Sequence, residues 1–124
     1  MPKKTYYQIK TLGKFAEEDN FEQGCDPSTT RAWEVTQEFN GPTPEDVIAQ
    51  VARFVGCAVG GKDNGVERNS CDEPGRVDFA VTENADGAPL SQREVEAWKQ
   101  GRCKAWYCIY TGYMKKITEE VAKL

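Results

Sequence analysis

Residues 33–56 read Trp33-Glu34-Val35-Thr36-Gln37-Glu38-Phe39-Asn40-Gly41-Pro42-Thr43-Pro44-Glu45-Asp46-Val47-Ile48-Ala49-Gln50-Val51-Ala52-Arg53-Phe54-Val55-Gly56, and this stretch decides the fold class. Over Trp33–Phe39 the odd positions are mainly apolar and the even ones polar, the period of a half-buried strand with one wet face. Asn40-Gly41-Pro42 breaks the run. Thr43 is a capping residue, Pro44 takes the first helical position, and Glu45 and Asp46 put acids in the first turn. Val47, Ile48, Val51, Ala52, Phe54 and Val55 recur at helical spacing, and Gly56 ends the run. A strand leading directly into a capped helix predicts an α+β chain.

Working outward, a second helix opens at Ser91-Gln92-Arg93-Glu94. Here Ser91 and Glu94 form a capping box, and Leu90 and Val95 stand at the staple positions. Trp98 continues its apolar face and Gly101 stops it. Thr5–Leu12 reads as an earlier strand with Tyr7 and Ile9 inward. Val77, Phe79 and Val81 alternate with Asp78, Ala80 and Thr82 as another. Residues 103–110, Cys103-Lys104-Ala105-Trp106-Tyr107-Cys108-Ile109-Tyr110, are apolar on both faces, as a central or doubly covered strand is. The tail admits a strand over Tyr113–Thr118 or an amphipathic helix through Met114, Ile117, Val121 and Leu124. A strand to Thr118 followed by a short helical end is favoured. The turn clusters are Asp26-Pro27-Ser28, Asn40-Gly41-Pro42, residues 60–65, Asp72-Glu73-Pro74-Gly75 and Ala85-Asp86-Gly87. The expected architecture is one domain over 1–124. It has the order β-β-α-β-α-β with a further C-terminal strand or short helix, and a mostly antiparallel sheet of 4–5 strands carrying both helices on one face.

The 124 residues hold 16 Lys+Arg, 20 Asp+Glu and no histidine, for a net charge of −4. A bulk-basic nucleic-acid binder is disfavoured, and every mechanism that needs imidazole is excluded. The acidity is local. Residues 1–13 carry +3, residues 14–75 carry −8 and residues 76–124 carry +1. No apolar run is long enough to cross a bilayer. The basic tip Lys3-Lys4 has no apolar stretch behind it, so no export signal is read. With Cys25, Cys57, Cys71, Cys103 and Cys108 odd in number, the expectation is reduced thiols in the cytoplasm.

Gly56-Cys57-Ala58-Val59-Gly60-Gly61-Lys62 matches part of a phosphate-binding loop. It follows a helix rather than a strand, however, and ends in Asp63 where a magnesium-binding hydroxyl belongs. A glycine-rich helix exit is the better reading. Thr82–Gly87 resembles half of a calcium loop, but Arg93 falls where the bidentate Glu is required; a turn at Asp86-Gly87 is preferred. Cys103 and Cys108 point to opposite faces of a strand, and no tandem thiolate pair appears. If a metal were held, Cys57 and Cys71 would be its thiolates. No cofactor is expected. Without histidine, catalysis would fall to carboxylate pairs, Cys, Lys or Tyr, and no spacing singles out two acids.

Two features remain for recognition. The acids Glu17, Glu18, Asp19 and Glu22, with Asp63, Glu67, Asp72 and Glu73, read as loop material that steers a basic partner. Trp106, Tyr107, Tyr110 and Tyr113 supply residue types of binding hot spots. The expected function is therefore a small acidic protein-binding domain, not an enzyme. It would be an inhibitor, immunity or anti-defence protein that occupies a basic site on another protein, with no direct nucleic-acid or membrane contact. The alternatives are a histidine-free enzyme or ligand-binding domain using carboxylates, and a self-assembling structural protein whose sheet edge pairs with its copy.

Overall fold

The computed structural model describes residues 3–57, 65–68 and 73–120, with residues 65–68 described by backbone alone. The chain is α+β, with every strand pair antiparallel. Its elements are β1 (Lys3–Ile9), β2 (Leu12–Asn20), β3 (Gly24–Val35), β4 (Phe39–Gly41), α1 (Pro44–Val55), β5 (Gly65–Arg68), β6 (Arg76–Glu83), α2 (Gln92–Lys99), β7 (Ala105–Tyr113) and β8 (Lys115–Glu120). The strands form a three-stranded sheet, β4-β1-β8, and a five-stranded sheet, β3-β2-β7-β6-β5.

The two sheets share a cause. Each of three ribbons (β1 with β2, β3 with β4, β7 with β8) crosses from one sheet to the other, and their order is the same in both. The ribbons bend together near Lys10-Thr11, Thr36–Glu38 and Met114, and the bend wraps the sheet around α1. This is why the expected strands at Thr5–Leu12 and Trp33–Phe39 are each interrupted: a sheet corner falls inside them. Gly112 stands at the corner. A Cβ there would lie 2.7 Å from Ile9 Cγ2 and 3.1 Å from Leu12 Cδ2, so only glycine lets the two strands close over it.

Both helices follow their local chemistry. Thr43 Oγ1 accepts from the Asp46 N–H, and Pro44 sits at the first position. Gly56 closes α1 with φ 82°, and its N–H donates to the Ala52 carbonyl at 2.8 Å. The glycine-rich motif thus begins at a helix C-terminus, and its residues 58–62 lie outside those described. The Ser91–Glu94 capping box is formed at α2. Its Ser91 N–H bond, with help from Asn84, holds the Glu94 carboxyl below the usual carboxylate range. The Asp86-Gly87 turn is tied by Asn84 Oδ1, which accepts from the Asp86 and Ala88 N–H groups.

The core has two parts, one on each side of the five-stranded sheet. Val47, Val51 and Val55 of α1 pack with Ile9, Leu12, Ala16, Val77, Phe79, Val81 and Cys108. Leu90, Val95 and Trp98 pack with Ala105. Ala105 and Cys108 are an odd number of positions apart on one regular strand, so they face opposite ways. The helices therefore cover opposite faces, not the single face expected. The −8 segment hides the reason: its acids Glu17, Glu18 and Asp19 read as loop material, yet they lie on the full strand β2. With β2 in place the sheet is wide enough to need cover on both sides. Asp26-Pro27-Ser28 does turn, but inside β3. Between the Ala16–Arg31 and Glu18–Asp26 pairs, four residues of β3 (27–30) stand against one of β2 (Glu17), an extended bulge braced by Ser28 and Thr29 on Asp26. β7 is the middle strand of the five, as its apolar faces predict. The tail continues as β8 through Glu120, so the helical end expected after Thr118 is strand at residues 119–120, and its residues 121–124 lie outside those described. Among the described residues no helix is long and apolar enough to cross a membrane.

Candidate functional site

The face of the five-stranded sheet that carries α1 also carries a polar cluster. Register sets Trp33, Lys14, Tyr110 and Phe79 side by side across β3, β2, β7 and β6, with Arg31, Ala16, Cys108 and Val81 in the next row and Glu18, Trp106 and Glu83 in the one after. α1 covers the β6–β7 half of this face. The β3 half is open: Arg31 is exposed and Trp33 is 46% exposed.

Lys14 is buried on this face. Its Nζ lies 2.6 Å from Glu83 Oε1, 4.9 Å from the centre of the Trp33 ring and 4.8 Å from that of Tyr110. Glu83 is buried as well, and accepts from the Tyr110 hydroxyl and the Cys108 thiol. One carboxylate thus serves an ammonium, a phenol and a thiol, and the ammonium in turn is clamped between two aromatic faces. Outside this cluster Arg31 stacks on Trp106 at 4.9 Å, and Lys104 pairs with Glu18 at 2.7 Å.

The thiol and the phenol of the cluster are held in their protonated forms. Burial, then the neighbouring Glu83, pushes the Cys108 thiol well up, and burial followed by the Glu83 hydrogen bond does the same to Tyr110. Burial lifts Cys57 to about 11. A thiol kept protonated is a poor nucleophile, so the buried cysteines read as packing residues. The other buried carboxylate, Asp19, faces Ala105 on the α2 side. Asp19 and Glu83 stand on opposite faces and do not form a catalytic pair. No group of metal-ligating side chains occurs among the described residues.

The raised values fix a pH dependence. A thiol or phenol whose pKa is higher in the folded state contributes stability that is whole below its unfolded value and is lost as pH rises toward the folded one. Unfolding midpoints in urea should therefore fall between pH 8 and pH 11, starting near the ordinary thiol range of about 8.5. Cys108→Ala should flatten that decline.

The residues singled out in the sequence separate into four groups. Glu17 and Glu18 lie on β2 opposite Tyr107 and Trp106 of β7, with exposed Glu22 in the turn beyond. Register joins this acidic run to the first half of the aromatic segment. Glu73 lies at the opposite end of the sheet, where it accepts from the Tyr113 hydroxyl and pairs with Arg76 at 3.2 Å. Among the described side chains, Glu73 therefore does not join the Glu17–Glu22 run. Asp19 and Tyr110 are buried and present nothing to a partner. Asp63, Asp72 and Cys71, and the side chain of Glu67, lie outside the described residues. Sequence reading missed Trp33, Arg31 and Lys14. Trp33 reads as an inner-face residue of a half-buried strand, and a lysine taken by itself reads as exposed. The lysine between Leu12 and Ala16 on an alternating strand was the available signal.

Comparison with protein-family models, with curated proteins and with solved structures gave no match.

Proposed function

We propose that this chain is a protein-binding domain of a reducing, cytoplasmic setting, whose β2–β3 hairpin engages a basic surface on its partner. The observation that carries the reading is Trp33, a large side chain about half exposed yet fixed from beneath. Lys14 holds its ring, and Glu83 holds Lys14. A buried ion pair is weak evidence for stability, whereas a rigid, half-exposed Trp is the usual anchor of a binding hot spot. The hairpin supplies the charge. Residues 12–35 contain six acids and two bases, and of the acids Glu17, Glu18, Glu22, Asp26 and Glu34 are at least partly exposed. Arg31 on Trp106 extends the aromatic surface next to Trp33.

Capture from a lysate by the immobilised chain, with the retained protein identified and titrated, tests this. Trp33→Ala should weaken binding by about 2 kcal/mol, about thirtyfold. Tyr113→Ala, at the far end of the sheet, should leave it within about twofold. Binding should also weaken as salt is raised. Salt-insensitive capture, or equal binding by Trp33→Ala, rejects the hairpin as the site.

A further inference from the structure

A second surface is carried by β8, the outer strand of the three-stranded sheet. Among the described residues nothing pairs with its outer edge. The other edges differ: β3 is interrupted by its bulge and Pro27, β4 has three residues and β5 has four. Open edges are ordinarily blunted by short length, charged side chains, Pro or bulges, and charges deter a copy only in the registers that set like against like. β8 reads Lys115-Lys116-Ile117-Thr118-Glu119-Glu120, basic in its first half and acidic in its second. Such a strand repels a parallel copy and attracts an antiparallel one. The fold already uses this match once, since β1 begins Lys3-Lys4 and lies antiparallel to β8 with Lys3 opposite Glu120 and Lys4 opposite Glu119.

We infer that the outer edge of β8 pairs antiparallel with β8 of a second copy about a two-fold axis at Ile117, joining two three-stranded sheets into one of six strands. Symmetry restricts the register. In an antiparallel pair, opposed residues share a face. Identical strands related by a two-fold axis meet that condition only if one residue lies opposite itself. With Ile117 on the axis, Lys115 of each copy faces Glu119 of the other. The alternative with Thr118 on the axis sets Ile117 against Glu119 and is poorer. Ile117 is already opposite Tyr6 on the outward face, so the Ile117 register completes a row Tyr6-Ile117-Ile117-Tyr6 across the joint. The rows beside it read Lys4-Glu119-Lys115-Gln8. A strand of six residues buries little area, so the dimer depends on concentration. This contact is separate from the β2–β3 hairpin, and neither proposal depends on the other.

Sedimentation over a concentration series decides it. The wild-type chain should move from monomer toward dimer as concentration rises. Lys115→Glu, which faces only Gln8 within its own chain, should weaken the dimer about tenfold or more by setting two like-charged pairs across the joint. Glu119→Lys should do the same. An equimolar mixture of the two variants should recover dimer at near wild-type concentration, because in the mixed pair both contacts are again opposite in sign. A wild-type chain that stays monomeric throughout, a Lys115→Glu chain that associates as tightly as wild type, or a mixture that fails to recover overturns the proposal. Far-UV circular dichroism confirms that each variant is folded.

Discussion

Glu83→Ala should destabilise the fold by about 3–5 kcal/mol, the cost of removing one member of a buried ion pair. The Lys14 ammonium would keep two aromatic faces but lose the carboxylate at 2.6 Å. The same change strips the acceptor from the Tyr110 hydroxyl and the Cys108 thiol, so three donors are left at one point. Removing both charges is a different experiment. Lys14→Met with Glu83→Leu should recover the part of the loss that belongs to the unpaired ammonium, because two apolar side chains of similar volume need no desolvation of an ion, while the Tyr110 hydroxyl and Cys108 thiol still lack their acceptor. Urea denaturation of the two variants measures the contrast. A loss below about 1 kcal/mol for Glu83→Ala would mean that water reaches the cluster. The double variant then separates folding from recognition. With stability partly restored but no ammonium beneath Trp33, the indole is no longer held, and partner binding should still fall.

The parts of the fold legible in the sequence are those written in local chemistry. The Thr43 and Ser91 caps, the Gly56 exit, the Asn84–Gly87 turn and the alternation of Val77, Phe79 and Val81 each depend on residues within one turn or one strand, and each stands as read. What was not legible is set by neighbours distant in sequence. Lys14, Glu17, Glu18 and Asp19 look like a solvated loop, because polar side chains on a strand normally mark its wet face. Here Lys14 finds Glu83 across two strands, Glu18 finds Lys104, and Asp19 lies under the Trp98 indole. Once β2 is lost from the count, the sheet narrows and both helices fit on one face, so a single misreading of polarity explains both errors. The same misreading scattered the candidate site. Glu17 and Glu18 were grouped with Glu73 by charge, while register groups them with Trp106 and Tyr107.

The two helices on opposite faces lead to the second large effect. Trp98→Ala should cost about 3–5 kcal/mol, since Trp98 is wholly buried and is the largest member of the core beneath α2. Its ring meets Phe21 edge-on with centroids 5.0 Å apart, and its Nε1–H donates to the Asp19 carbonyl at 3.3 Å. Trp98→Phe should cost less, because a ring remains to meet Phe21 and only part of the volume and the N–H are lost. Val51 is the matching residue of α1 on the other face. If the helices share no core, Val51→Ala and Trp98→Ala should add within about 0.5 kcal/mol in a double-mutant cycle. Helices packed side by side on one face would instead show coupling of about 0.5–3 kcal/mol. Trp33→Ala completes the comparison. As a half-exposed Trp it should lower stability far less than Trp98→Ala while weakening partner binding far more. A large loss of stability at Trp33 would make it a core residue and leave the hairpin without its anchor.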